Sequence, residues 1–265
     1  RTLVTDAAHP LVRSAAAMAL DADAVPADRP ALFTALSDDY RIVRIRAADR
    51  LIALADPDIP KEHRAAYDAA VKEMWTATNL RQDNWSTHFN TGNILMRQNR
   101  LEEAAGKYDR AHELRNDIPQ PLINASMAFA QLGNLDEAEA HLLKATQLPE
   151  PSAEANFNLG LLYAELGRMD DAEKALYESL KINPQNAQAA YNLAIMMAGK
   201  NYPECFRLLQ LAIKADPYNP RTVETLTYYY MQTRQFDLAK KVIEQGFERG
   251  VNSPGIQSIY RQLGR

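Results

Sequence analysis

The sequence predicts an all-α solenoid, in which short helical hairpins stack one after another along the chain. Two observations support this fold class: apolar residues recur at helical spacing, and one pattern of 34 residues repeats several times. In the stretch Ala153–Asn186, Leu159 and Tyr163 lie one turn apart on a first helix. Leu176 and Leu180 lie one turn apart on a second helix, so the stretch predicts two amphipathic helices joined by a tight turn.

The same stretch carries a fixed set of residue types: Leu159, Gly160, Tyr163, Gly167, Ala172, Leu176 and Pro184, with Ser179 at one more position. Moving the frame by about 34 residues finds four further copies. The five copies occupy residues 85–118, 119–152, 153–186, 187–219 and 220–252. This pattern resembles the tetratricopeptide repeat, which has Ala where Ser179 stands. The resemblance implies a right-handed α-α superhelix whose first helices line a concave groove.

Residues 1–58 carry a different repeat. The segment His9–Arg13 aligns with Tyr40–Arg44 at a period of 31 residues, and Ala-rich positions follow in both copies. This segment resembles a HEAT-type repeat, which implies that Arg13 and Arg44 make structural contacts with a neighbouring repeat. Too few residues precede Pro10 to form the partner helix, so we expect an uncapped apolar face at this end. Because repeat proteins normally cover such a face with a polar cap, we expect the chain to be the carboxy-terminal piece of a longer protein.

Residues 59–84 and 253–265 frame the five copies. A helix from about Lys61 to Leu80 resembles the second half of a tetratricopeptide unit and is expected to pack directly against the last HEAT-like helix. At the other end, Ser253 is a predicted N-cap and Pro254 the first helical residue. The predicted capping helix has one apolar stripe, made of Ile256, Ile259, Tyr260 and Leu263.

Composition argues against several classes of function. A net charge of −4 over 265 residues disfavours nucleic acid as a partner, and no apolar run approaches the roughly 20 residues that span a bilayer. The single cysteine, Cys205, predicts a small buried side chain, and no histidine lies at ligand spacing from another ligand. His112 and His141 are expected on exposed faces. We therefore predict no catalytic residue, metal site or cofactor.

Four asparagines recur every 34 residues on first helices: Asn90, Asn124, Asn158 and Asn192, with Thr225 at the fifth position. In some members of the family that the chain resembles, asparagines at this position form a ladder along the concave groove and hold a peptide backbone. The resemblance therefore implies the same role for these four amides. The alternative is structural, because each amide can instead bond to a neighbouring helix. One position earlier, Phe89, Ile123, Phe157 and Tyr191 give the groove an apolar wall. Another turn along, Met127, Leu161, Ile195 and Tyr228 extend it.

The predicted function is a non-enzymatic protein–protein interaction module that binds a peptide or partner segment in the groove. The clamp that some family members use for acidic chaperone tails is disfavoured, because Ser86, Gln120, Glu154 and Gln188 replace its basic residues. Two alternatives stay open. One is a scaffold that self-associates through the uncapped end. The other is the docking arm of a multihaem c-type cytochrome, whose carboxy-terminal half the layout resembles. The latter implies a periplasmic or extracellular location, and otherwise a cytoplasmic one is expected.

Overall fold

The computed structural model describes residues 1–52, 54, 58–79 and 83–263, and all regular structure in these ranges is helical. The all-α prediction is confirmed. The chain divides into two compact units, Arg1–Ala138 and Glu139–Arg265, which are described separately. Leu80, the predicted end of the bridging helix, lies outside the described residues.

The helices of the first unit are α1 (Thr2–Asp6), α2 (Pro10–Met18), α3 (Arg29–Ala35), α4 (Arg41–Leu51), α5 (Lys61–Asn79), α6 (Trp85–Arg97), α7 (Leu101–Leu114) and α8 (Gln120–Gln131). Helix α9 (Leu135–Thr146) contains the division between the units. The second unit continues with α10 (Ala153–Glu165), α11 (Met169–Ile182), α12 (Ala187–Met197), α13 (Tyr202–Ala215), α14 (Pro220–Gln232), α15 (Phe236–Glu248) and α16 (Pro254–Leu263).

Each of the five hairpins from α6–α7 to α14–α15 turns through one residue with a positive φ. These residues are Asn99, Gly133, Gly167, Gly199 and Arg234, with φ between 56° and 79°. In the α10–α11 turn, the Arg168 amide donates to the Tyr163 carbonyl at 2.8 Å, which satisfies an acceptor at the end of the helix. The left-handed conformation favours glycine, and Asn tolerates it better than most residues do. The recurring turn chemistry therefore fixes where each first helix ends.

The two helices of a hairpin come into close contact at a glycine of the first helix, Gly160 in α10 and Gly92 in α6. A Cβ atom added to Gly160 would lie 2.8 Å from Leu176 Cγ and 3.3 Å from the Ala172 carbonyl oxygen. At Gly92 the same atom would lie 2.5 Å from the Tyr108 ring. Glycine at these positions lets a large side chain of the second helix pack directly on the first helix.

Two arginines at matching repeat positions bind carboxylates of neighbouring segments in the first unit. Arg13 of α2 donates to both carboxylate oxygens of Asp38, at 2.6 and 3.1 Å, and to the Ala7 carbonyl at 2.6 Å. Arg44 of α4 donates to both oxygens of Glu73 on α5, at 3.1 and 2.7 Å. The structural role expected for both arginines is confirmed. Helix α4 also packs on α5, as expected.

Helix α16 packs on α14 and α15 and covers the apolar end of the second unit. The Ser253 hydroxyl accepts a hydrogen bond from the Ile256 amide at 3.1 Å, so the predicted N-cap is confirmed. Cys205 is buried, as predicted, and burial raises the pKa of its thiol to about 11. The expectation that His112 is exposed was wrong: it lies on the inner side of α7 and is buried.

Candidate functional site

Two of the predicted asparagines lie on the first helices of the second unit. Asn158 Nδ2 donates to the Glu154 carbonyl of its own helix α10 at 3.0 Å, and Asn192 Nδ2 donates to the Gln188 carbonyl of α12 at 3.0 Å. Thr225 follows the same pattern, since its hydroxyl donates to the Arg221 carbonyl at 2.8 Å. Each amide keeps its oxygen and one N–H without a partner among the described residues.

A pocket of about 430 Å³ opens beside Asn192, between α10, α12 and the start of α14. We call it the first-helix pocket. Its lining comprises Phe157, Leu161, Ala187, Gln188, Tyr191, Asn192, Asp216, Asn219, Arg221 and Thr222. The structure thus brings together three of the predicted site residues, Phe157, Tyr191 and Asn192. It combines apolar walls with amides, one cation and the carboxylate of Asp216, which is the usual make-up of a binding site.

Arg221 is the cation of this pocket, and sequence analysis missed it. Its guanidinium lies 4.9 Å from the ring centroid of Tyr191, whose hydroxyl is 3.2 Å from the Thr225 hydroxyl. Asn219 caps α14 by accepting from the Arg221 amide at 3.1 Å. These contacts hold Arg221 and Tyr191 in place. Arg221 could have been identified from the sequence, because it occupies in the fifth repeat the position that Gln188 occupies in the fourth.

A column of exposed apolar side chains continues from this pocket along the first helices of the second unit. Leu161, Ile195 and Tyr228 are 38%, 39% and 52% exposed, at matching positions on α10, α12 and α14. Phe157 and Tyr191 are half-buried and pack partly against the core of the unit. The pocket and this column form one apolar face that amides border.

The predicted site residues of the first unit are in a different environment. Asn124 Nδ2 donates to Asn93 Oδ1 at 3.0 Å, and the Tyr108 hydroxyl donates to the same oxygen at 2.8 Å. Burial raises the pKa of Tyr108 to about 12. The side chain of Asn90 is exposed and bonds to none of the described residues. Sequence analysis missed Asn93, the residue that engages Asn124.

Phe89 and Ile123 contribute mainly to packing in the first unit. The Phe89 ring centroid lies 6.0 Å from that of Trp85 and 5.8 Å from that of Tyr108. Ile123 is only 1% exposed, so the expectation that it lines an open wall was wrong. Met127 is exposed, as expected for a groove residue.

Two negative findings apply to the part of the chain that the structure describes. Within it, no group of three or more His, Cys, Asp or Glu side chains is arranged to hold a metal ion. None of its helices combines the length and the apolar character needed to cross a bilayer.

The sequence profile of the tetratricopeptide repeat family matches residues 64–119 and 123–187. No curated protein sequence is significantly similar to the chain. Among solved structures, Pseudomonas aeruginosa PilF is 16% identical with a TM-score of 0.58, over 88% of this chain and 99% of that one. MamA of Desulfovibrio magneticus RS-1 is 20% identical with a TM-score of 0.51, over 64% of this chain and 97% of that one.

YrrB, described as a TPR protein with an unusual peptide-binding site, is 16% identical with a TM-score of 0.51, over 70% of this chain and 96% of that one. At these identities the likeness concerns the fold alone. The chain therefore contains tetratricopeptide repeats, within residues 64–119 and 123–187, and has the helical-hairpin fold of proteins built from them.

Proposed function

We propose that the chain is a protein-interaction module whose first-helix face in the second unit binds an apolar segment of a partner polypeptide. The observation that carries the proposal is the continuity of the first-helix pocket with the exposed column Leu161, Ile195 and Tyr228. Scattered exposed apolar residues need no explanation, but aligned ones next to a pocket are typical of an interaction surface.

Amide groups at the border of this face suit a peptide backbone. Asn192 retains an acceptor oxygen and an N–H donor, which match the N–H and C=O of an extended chain. Asn158 offers the same pair of groups on α10. Each such hydrogen bond contributes roughly 0.5–1.5 kcal/mol net, so the two asparagine side chains orient a ligand rather than supply most of its affinity. Asn90 offers a further amide on the first unit, without a partner among the described residues, whereas Asn124 is engaged by Asn93.

Apolar side chains supply most of the affinity in this proposal. Tyr228 is half exposed and lies edge-on to Tyr229, with ring centroids 5.3 Å apart. Covering an exposed aromatic or aliphatic side chain contributes a part of the roughly 1.5–3 kcal/mol that full burial gives. Arg221 and Asp216 place one cation and one carboxylate in the lining of the pocket, so the pocket offers a charged partner to a ligand residue of either sign beside the apolar anchor.

The test uses peptides selected from a random phage-displayed library on the full chain, with affinities measured by calorimetry. The double variant Leu161→Ser, Tyr228→Ser should weaken binding by at least about tenfold. Phe236→Ser is the matched control, because Phe236 is 51% exposed but lies on a second helix. Equal losses in both variants, or none in either, would show that the selected peptides bind elsewhere.

A second candidate function is self-assembly through the amino-terminal face of the first unit. Leu11 and Val12 on α2 are 64% and 45% exposed, although Val43, which matches Val12 in the HEAT-like alignment, is fully buried. Light scattering at several concentrations tests this candidate. A mass that rises with concentration in the natural chain, but not in Leu11→Ser, Val12→Ser, supports it, and a constant mass excludes it. The HEAT-like assignment and the multihaem cytochrome resemblance stay predictions.

A further inference from the structure

A second groove lies on the second helices of the second unit, between α13 and α15, with α14 as its floor. We call it the second-helix groove, and its volume is about 540 Å³. It is lined by Gln210, Ile213, Lys214, Pro217, Leu226, Tyr230, Leu238, Lys241, Val242, Gln245 and Arg249. It shares no lining residue with the first-helix pocket.

The repeat register explains why this groove is open. One repeat earlier, the hydroxyl of Tyr177 on α11 donates to Glu204 on α13 at 3.0 Å and bridges the two second helices. The residues at the same positions one repeat later are Gln210 and Leu238. Gln210 is shorter than tyrosine and donates instead to the Tyr230 hydroxyl at 3.0 Å. Leu238 has no polar atom to receive a bridge, so the gap remains.

The groove combines an apolar floor with three cations. Lys214, Lys241 and Arg249 line it, and none of the described residues in the lining is acidic. Neither lysine forms an ion pair within the described part of the chain, and Arg249 Nε is buried there without a hydrogen-bond partner. Leu238 is 43% exposed at one end. An apolar surface lined by cations that lack an ion pair complements an apolar ligand that carries negative charge.

The spacing of the cations favours a polypeptide over a small carboxylate. The lining residues of α15 and its C-cap run from Leu238 to Arg249, which is roughly 16 Å along the helix, and the backbone positions of Lys241 and Arg249 are roughly 12 Å apart along it. An ion pair spans at most about 4 Å, so several carboxylates engage these cations more readily than a single head group does. A helix of about three turns matches the length and presents carboxylates at several points.

We propose that the second-helix groove binds an acidic amphipathic helix of a partner protein, with its apolar stripe on Leu238, Val242 and Ile213. Its carboxylates then pair with Lys214, Lys241 and Arg249. This site is independent of the one proposed on the first-helix face. The two sites together allow the second unit to engage two polypeptide segments at once.

The experiment measures fluorescence anisotropy of a labelled amphipathic peptide of about 12 residues, with Leu on one face and Glu on the other, added to the full chain. A peptide with Lys in place of each Glu is the charge control. We expect the acidic peptide to bind more weakly as salt rises, and the basic peptide not to bind. Lys214→Glu, Lys241→Glu should weaken binding by at least about tenfold. Lys174→Glu, Lys200→Glu, with the same charge change outside the groove, should not.

A second variant closes the groove without removing its cations. Gln210→Tyr, Leu238→Glu rebuilds the bridge seen between Tyr177 and Glu204, and should abolish binding while the melting temperature holds. Leu161→Ser, Tyr228→Ser should leave this binding unchanged, which separates the groove from the first-helix face. The proposal is overturned if the acidic and basic peptides bind alike, or if the closing variant binds the acidic peptide normally. Dodecanoate, a small apolar carboxylate, is the alternative ligand, and the proposal is also overturned if dodecanoate binds the groove and the acidic peptide does not.

Discussion

Asn124 on α8 donates its side-chain amide to Asn93 on α6, and the two atoms are 3.0 Å apart. Asn93 lies at the position where Leu161 stands two repeats later. The equivalent pair two repeats later is Asn192 on α12 and Leu161 on α10. Leu161 has no acceptor, so Asn192 donates to a carbonyl of its own helix instead. One residue in the neighbouring repeat thus decides whether the recurring asparagine links two helices.

Replacing Asn124 with Ala should lower the free energy of unfolding by about 1 kcal/mol, because a half-buried hydrogen bond between helices is lost. Asn158→Ala is the matched control at the same repeat position. It removes only an exposed bond within α10 and should change stability by less than about 0.5 kcal/mol. Urea unfolding of both variants checks this difference. Equal losses would mean that the Asn93 contact adds nothing.

The two glycines Gly160 and Gly106 should respond to alanine in opposite directions. A Cβ atom on Gly160 would meet Leu176 Cγ at 2.8 Å, so Gly160→Ala should destabilise the protein by roughly 1–3 kcal/mol. Gly106 lies within α7, and an added Cβ atom would meet nothing within 4 Å. Gly106→Ala should therefore stabilise it by roughly 0.5–1 kcal/mol, since alanine favours the helix. Thermal melting of both variants measures the two signs.

The ion pair of Arg13 and Asp38 should make stability depend on pH below about 4. The hydrogen bonds from Arg13 hold the pKa of Asp38 below its ordinary value of about 3.9. A lowered folded pKa gives stability that is present above the unfolded pKa and lost as pH falls through the folded one. Arg13→Met should lower stability at pH 7 and flatten the loss between pH 4 and pH 2. A variant with an unchanged acid slope would contradict this account.

Much of the fold could be predicted because the repeat register depends on short-range chemistry. Gly160 and Gly167 mark a close helix contact and a left-handed turn, and both requirements are visible in one sequence. The candidate site was less predictable. Whether Asn124 or Ile123 is free to meet a ligand depends on which side chains a neighbouring hairpin places beside it. The second-helix groove was missed because it arises from an absent bridge, at Gln210 and Leu238, rather than from a motif.

Ser179 shows where this chain departs from its repeat pattern with a structural consequence. Alanine is the expected residue there, yet the Ser179 hydroxyl is fully buried and donates to the Ala153 carbonyl at 2.8 Å. It also accepts from Asn186 Nδ2 at 3.2 Å, and Asn186 caps α12 by accepting from the Ala189 amide at 3.0 Å. The hydroxyl therefore joins α10, α11 and the start of α12.

Ser179→Ala should consequently destabilise the protein by about 1–2 kcal/mol, although it restores the residue that the repeat pattern favours. The cost arises because the Asn186 amide loses its buried acceptor and the cap of α12 is held less firmly. Ser258→Ala on the exposed side of α16 is the matched control and should change stability by less than about 0.5 kcal/mol. Urea unfolding of both variants shows whether the lost hydrogen bonds or the preference of the repeat for alanine has the larger effect on stability. A more stable Ser179→Ala protein would mean that the preference for alanine outweighs the hydrogen bonds.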